Sequence, residues 1–384
     1  MKFTASRIDL IKAMGAAVRV VERRNTIPVL GNVLLRAEGG QLAIRATDLD
    51  IEISTRCAAT ITEPGATTVP AATFHDLLRK LPEGSQVSLE TGGGGSGSAQ
   101  RDSHTHITIR SGRSRFVLQT LPDTDFPDIA AGEMSHSFAL PAEDLASMIG
   151  QVGFAVSTEE TRYYLNGIYL HTVGGTGEAL VAVATDGHRL ARRTHPCPAG
   201  AEGMPGIIVP RKAVGEIARL IEKLGNQPVE ISLSTTKLRV ETPDATFLTK
   251  LIDGTFPDYE RVIPKGNDKH AVLDAAELVA AVDRVATISS ERGRAVKLSF
   301  ADSSLAIEVT NPDAGTARDE VEADYTDEPL EIGFNARYLA DILGVLIASG
   351  TGSVTMQLGS AGSPTILQAS KAADLLIVLM PMRV

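Results

Sequence analysis

The chain repeats one plan three times, and this limits its possible folds more than any other feature. A first segment reads Phe3-Thr-Ala-Ser-Arg-Ile-Asp-Leu10, returns as Phe138-Ala-Leu-Pro-Ala-Glu-Asp-Leu145, and returns again as Val272-Leu-Asp-Ala-Ala-Glu-Leu278. A second segment occupies Val69–Leu81, Val209–Ile221 and Gly333–Leu343. Each time a glycine-containing break follows it, and then an alternating stretch: Val87–Glu90, Val229–Leu233 and Val354–Leu358. Thr47-Asp48, Thr185-Asp186 and Thr310-Asn311 mark mid-unit, while Phe126-Pro127-Asp128 and Phe256-Pro257-Asp258 mark unit ends. Four markers in one order point to triplication at a spacing of about 120–140 residues, with domains at 1–134, 135–268 and 269–384.

Both recurring segments carry apolar residues three to four apart, the period of a helix with one buried face. In the first helix the expected stripe is Ile8, Ile11, Met14, Val18 and Val21. The remainder of each unit alternates apolar and polar residues between turn signals, as short strands do. Two helices and many short strands per unit make an α+β plan. The glycine run Gly92–Ser98 reads as a loop joining two strands, the second opening at His104 to His106; no Gly-Lys-Ser/Thr follows it to make a phosphate loop.

A length of 384 residues suits roughly two to three domains. The N-terminus lacks the apolar run of a signal peptide, and the run Leu375 to Met380 is too short to cross a bilayer. Cys57 and Cys197 lie 140 residues apart with no Cys/His ligand spacing, which fits free thiols in a reducing cytoplasm. No metal set and no cofactor motif is present, so neither is expected.

Three units of this size constrain one another geometrically. Each of ~125 residues packs into a sphere roughly 36 Å across. Three in a closed ring leave a hole about 6 Å wide, whereas six leave about 36 Å, enough for a duplex. A head-to-tail pair of chains is therefore the finite ring that could enclose DNA. Lys12, Arg19 and Arg23 recur in spacing at Lys212, Arg219 and Lys223, a basic flank on two helices that could face inward or simply solvent. A net charge of −10 argues against a protein that grips DNA tightly.

Along its whole length the chain resembles the β sliding clamp of bacterial DNA polymerase III. The strings that carry the resemblance are Met1–Thr4, Ile27-Pro-Val-Leu-Gly-Asn32, Pro64–Pro70, Arg113-Ser-Arg-Phe116, Arg162-Tyr-Tyr-Leu-Asn-Gly167, Ala184-Thr-Asp-Gly-His-Arg-Leu190, Phe256–Tyr259 and Met380-Pro-Met-Arg383. The resemblance implies a homodimeric ring of three sliding-clamp (DNA clamp) domains per chain, helices lining the hole and sheets outside. Duplex DNA would be encircled without sequence preference. The replicative polymerase, the clamp loader, other polymerases and repair proteins would dock through short peptide motifs. Such a chain is a non-catalytic processivity subunit, cytoplasmic and nucleoid-associated during DNA replication and DNA repair, with no membrane partner.

Carried over by position, the peptide pocket would comprise Leu165, Thr185, Gly187, His188, Arg189, Leu190, Pro257, Arg261, Val262, Asn335, Tyr338, Val378, Met380, Pro381, Met382 and Arg383. Met and Leu side chains suit a slot that repacks around several partners. The implied DNA contacts are Arg24, Tyr163 and Tyr164, and the implied ring seam joins Arg113, Arg115, Phe116 and Leu118 of one subunit to the helix around Ile288 of the other. Three residues depart from the family pattern: Glu159 at a DNA-contacting position, and Gly293 and Pro364 at the pocket rim.

Two other functions fit parts of the sequence. Asp186 and His188 could form an acid–base pair in an enzyme, although no nucleophile motif accompanies them. A scaffold that binds proteins and never meets DNA is the other, distinguished by indifference to DNA topology.

Overall fold

The computed structural model describes residues 1–22, 26–92, 106–174, 178–289, 295–369 and 372–384, with the side chains of 372 and 373 excepted. Arg23, Arg24, Gly293, His104 and most of the Gly92–Ser98 segment therefore lie outside the described residues. Strands Gln86–Thr91 and His106–Ser111 flank that segment and pair with each other.

Six α-helices occur among the described residues: α1 (Arg7–Val20), α2 (Ala71–Lys80), α3 (Ala142–Gly153), α4 (Arg211–Ile221), α5 (Ala275–Ala286) and α6 (Ala336–Ala348). Each starts directly from the end of a strand, so one residue must close the strand and cap the helix. Ser6 does this for α1 by accepting from Asp9 N at 3.2 Å. Asp274 does it for α5, accepting from Glu277 N at 2.8 Å. Pro70, Pro141 and Pro210 stand at the same position before α2, α3 and α4, where a fixed φ and a missing N–H cost nothing.

The buried face of α1 differs from the expected stripe. Leu10, Ala13, Met14, Ala17 and Val20 face the core, while Ile8 is 72% exposed. Bulk alone suggested the other face. The helix instead turns its small residues to the sheet, which lets Thr55 Oγ1 reach the Ala13 carbonyl at 3.0 Å.

Among the described residues all strand pairing is antiparallel. Five strands form one sheet, ordered Thr60–Glu63, Lys2–Ser6, Gln86–Thr91, His106–Ser111, Ser114–Gln119. A second sheet has eight strands and a third has twelve. The chain divides into two compact units, Met1–Glu143 with Arg219–Leu251, and Asp144–Ala218 with Ile252–Val384, so the middle repeat contributes to both.

Each unit contains one junction between repeats, and the two junctions are built alike. In the first unit, strand Ala245–Lys250 of the middle repeat pairs with Ile51–Ala58 of the first, Phe247 opposite Ile53. In the second unit, strand Ala372–Leu379 of the last repeat pairs with Arg189–Pro196 of the middle one, Leu379 opposite Arg189. The counterparts that remain are Ser114–Gln119 and Gly315–Asp324. Among the described residues, Ser114–Gln119 pairs only with His106–Ser111 and exposes Phe116 (36%) and Val117 (48%). Gly315–Asp324 pairs on one side with Ser304–Asn311, and on the other only from Ala323 and Asp324. Two strand edges of the kind used at both internal junctions are thus left open.

Candidate functional site

The residues expected to form a peptide pocket all belong to the second unit. Leu165, Leu190 and Val378 are buried in one core cluster with Val181, Val183, Ile208, Phe256, Tyr259 and Ile366. They make a floor. The exposed side chains are Val262 (50%), Met380 (38%) and Met382 (37%), with Pro257, Gly187, His188, Arg261 and Arg383 also at the surface.

The turn Thr185–Arg189 is held by its own side chains. Thr185 Oγ1 donates to the Arg189 carbonyl at 2.8 Å and accepts from Gly187 N at 3.1 Å. Asp186 Oδ1 accepts from His188 N and Arg189 N at 2.9 and 3.0 Å. Asp186 Oδ2 accepts from Arg189 Nε at 3.1 Å. Both carboxylate oxygens are committed to the turn, so the acid–base pair with His188 has no structural support. His188 instead stacks against Tyr338, with ring centres 6.0 Å apart.

Arg189 reaches past the turn to α6, donating from NH1 to Asp341 Oδ2 at 2.7 Å. Its guanidinium sits 4.4 Å from the centre of Tyr338 and 5.1 Å from that of Phe154. Asn335 Oδ1 caps α6 by accepting from Arg337 N and Tyr338 N, at 3.0 and 3.2 Å. The Asn335 side chain therefore orients Tyr338 and has its oxygen engaged. Asp341, Phe154 and Tyr259 are absent from the expected set. Tyr259 stands between Pro257 and Arg261 and Asp341 follows Tyr338 on α6, so their chain neighbours offered a signal; Phe154, just past α3, had none.

The C-terminal segment is tied down by backbone. Met380 N donates to the His188 carbonyl at 2.9 Å, and Met382 N to the Gly333 carbonyl at 2.8 Å. A Cβ on Gly333 would come within 2.5 Å of the Met382 carbonyl oxygen, so only glycine admits this approach. Pro364 lines a cavity of about 590 Å³ with Asn267, Lys269, Glu328 and Ser360, and the next residue, Thr365, pairs with Leu379 beside Met380.

The first repeat has a counterpart of this turn, with the same bonds except the one from Arg189 Nε, since Ile51 stands in its place. Thr47 Oγ1 donates to the Ile51 carbonyl (2.8 Å) and accepts from Leu49 N (3.0 Å), and Asp48 Oδ1 accepts from Asp50 N and Ile51 N (2.9 and 2.7 Å). Lys250 N donates to the Asp50 carbonyl at 2.8 Å, as Met380 does to His188. Where the second unit has Val183 and Leu190, however, the first has Arg45 and Glu52, an ion pair at 2.8 Å that Arg45 extends to Asp128 at 2.6 Å. An ion pair in the first repeat thus stands where the second has two buried apolar side chains.

Of the expected DNA contacts, Tyr163 is 54% exposed, while Tyr164 is half-buried against the core cluster. The two rings meet edge to face at 5.8 Å. Glu159 accepts from Arg162 Nε at 2.9 Å, and this bond holds its carboxyl below the usual range.

Comparison with known proteins agrees with the triplicated plan. Models of the DNA polymerase III beta subunit match in series: the N-terminal domain over residues 1–130, the central domain over 139–258 and the C-terminal domain over 260–383. The chain belongs to the DNA polymerase III beta subunit family. Relatives carry the name beta sliding clamp: that of Caulobacter vibrioides NA1000 is 47% identical and that of Escherichia coli K12 36% identical, each over the full length of both chains. A crystal structure of a sliding clamp from Bartonella birtlesii bound to griselimycin superposes with a TM-score of 0.94 at 46% identity, covering all of both chains.

Proposed function

We propose that two copies of this chain close head to tail into a six-domain ring around duplex DNA and hold the replicative polymerase on it. The observation that carries this reading is the pair of open strand edges. Two internal junctions join repeats by antiparallel strands, and the chain ends with one more edge of each kind, Ser114–Gln119 and the first part of Gly315–Asp324. Each edge on one copy fits the other edge on a second copy, a heterologous contact that closes after two.

Charge supports this seam. Arg113 and Arg115 flank one edge, and Glu320 and Glu322 lie along the other. The seam expected at the helix around Ile288 becomes a strand-to-strand contact with α5 beside it, and Ile288 itself lies in the turn just past the end of α5 at Ala286. The Ile288 carbonyl accepts from Asn311 Nδ2 at 2.8 Å, just before the acidic strand begins. Phe116 and Leu118 supply apolar area from the other side.

Domain boundaries at 1–134, 135–268 and 269–384 follow the starts of the strands His136–Pro141 and Lys269–Asp274. Encirclement needs no tight grip, which suits a net charge of −10. Arg24, Tyr163 and Tyr164 make passing contacts with the duplex. The slot floored by Leu165, Leu190 and Val378 takes the short tails of the polymerase, the clamp loader and repair proteins. The chain works without catalysis, in the cytoplasm at the nucleoid. No helix among the described residues is long and apolar enough to cross a membrane.

Solution mass tests the ring directly. The wild-type chain is expected at twice its own mass. Phe116→Asp, which places an unpaired charge in the seam, is expected as a folded monomer. A wild-type monomer at micromolar concentration removes the proposal.

A further inference from the structure

Strand Arg189–Pro196 carries three arginines, and two of them hold carboxylates. Arg189 holds Asp186 and Asp341, and Arg193 holds Asp374. Arg192 holds none: among the described residues it makes no ion pair and no side-chain hydrogen bond. Its Nε is shut off from solvent without an acceptor, while its two terminal nitrogens remain accessible. Alternate residues of a strand share a face, so Arg192 stands on the face that carries Leu190. Its cross-strand neighbours on that face are Val183 and Leu376. Val183 is buried in the cluster that floors the pocket, and half-buried Leu376 and Ile263 pack against the same cluster. The apolar floor thus runs from Leu190 and Val378 to a half-buried guanidinium that has no counter-charge.

We propose that Arg192 extends the pocket as a carboxylate-binding subsite, filled by an Asp or Glu side chain two positions from the apolar residue that a docking peptide seats over Leu190 and Val378. This inference rests on the pocket reading above. Side chains two apart along an extended peptide are separated by about 7 Å, the same step that parts Leu190 from Arg192. A half-buried cation that the fold leaves without an acceptor is costly, and a carboxylate arriving over the floor removes that cost. It can take two parallel bonds from the terminal nitrogens, the geometry to which a planar guanidinium is suited. Glu260 and Arg192 both lie close enough to Tyr259 to act on its hydroxyl, in opposite directions. Glu260 is nevertheless exposed on the turn Tyr259–Val262 and forms no ion pair with Arg192. The guanidinium is therefore left for an incoming acid.

The test is calorimetric binding of short synthetic peptides to the full chain, each amidated at its C-terminus so that no terminal carboxylate contributes. Every peptide carries a pair of leucines for the floor and one aspartate, two positions before the pair in one series and two positions after it in the other. Each has a twin with asparagine in place of the aspartate. In one of the two series wild type is expected to prefer the aspartate peptide roughly tenfold, the scale of a charge-assisted hydrogen bond. Arg192→Gln should reduce that preference to less than about twofold. Arg211→Gln removes an equal charge from an exposed residue at the start of α4 and should keep the preference. No preference in wild type, the same preference in Arg192→Gln, or an equal loss in both variants would overturn the inference while leaving the pocket intact. If no peptide binds wild type, or Met380→Ala binds them all unchanged, the pocket reading itself falls and takes this one with it.

Discussion

Arg189 and Asp341, 152 positions apart, meet at 2.7 Å and lock the Thr185–Arg189 turn to α6. Arg189 is 10% exposed and also holds Asp186, so its removal leaves a shielded carboxylate without its cation. Arg189→Ala should cost about 2–3 kcal/mol, the range for charged hydrogen bonds, discounted because Asp341 remains partly solvated. Urea unfolding measures this, and tail-peptide affinity should fall in parallel. A loss below about 0.5 kcal/mol, the scale of a surface change, would mean the bridge is incidental.

The paired turns offer an internal control. Gly187 has φ +88°, and a Cβ there would sit 2.5 Å from Arg162 NH1. Gly187→Ala is expected to destabilise by about 1–3 kcal/mol and to disturb the pocket rim. Leu49 occupies the same position in the first repeat at φ +80°, where a side chain already bears strain. Leu49→Gly relieves it and should be neutral or stabilising by up to about 1 kcal/mol. Equal destabilisation by both substitutions would contradict the strain argument.

These turns also show what the sequence makes legible. Thr47-Asp48 and Thr185-Asp186 are visible as a repeat because their side chains bond their own neighbours, and local chemistry leaves a local trace. The six helices are visible through their apolar period, whereas Leu165, Leu190 and Val378 are named only through the family resemblance, and all three are buried. The face that α1 buries was not legible, because Ala13 and Ala17 win by fitting close to the sheet rather than by hydrophobicity. Nor was the committed oxygen of Asn335, a cap whose geometry depends on the strand before it. The strand-to-strand junctions lay furthest from reach: Phe247 meets Ile53 across almost two hundred positions, and register between distant strands is set by tertiary packing.

The last residues contribute through backbone as well as side chains. Deleting Met380 to Val384 removes the bonds from Met380 N to His188 and from Met382 N to Gly333 together with both methionine side chains. The truncated chain should still dimerise but no longer stimulate its polymerase in a primer-extension assay. Retained stimulation would argue that the docking slot lies elsewhere.

Stability should decline on mild acidification. Burial lowers the pKa of His171 and of His75 below the ordinary 6.5. Just below that value the unfolded chain binds more protons than the folded one. Their contribution is therefore present above about pH 6.5 and lost as pH falls through the window toward the folded values. The urea midpoint should drop between about pH 7.5 and about pH 5.5, and less steeply in His171→Gln. A flat midpoint would contradict the assignment.

Burial raises the Cys57 thiol to about 11, with Asp9 adding to the effect. Only the thiolate reacts, so iodoacetamide at about pH 8 should modify Cys57 far more slowly in the folded chain than in urea. Equal rates would show that the strand Ile51–Ala58 is not packed as described.

Retention on DNA of defined topology bears most directly on the ring. Clamps loaded onto a nicked circle should remain through gel filtration in moderate salt and leave once a restriction enzyme cuts the circle. Blocking both ends of the linear product with bound protein should restore retention. Release from the intact circle at the same rate as from the cut one would contradict encirclement.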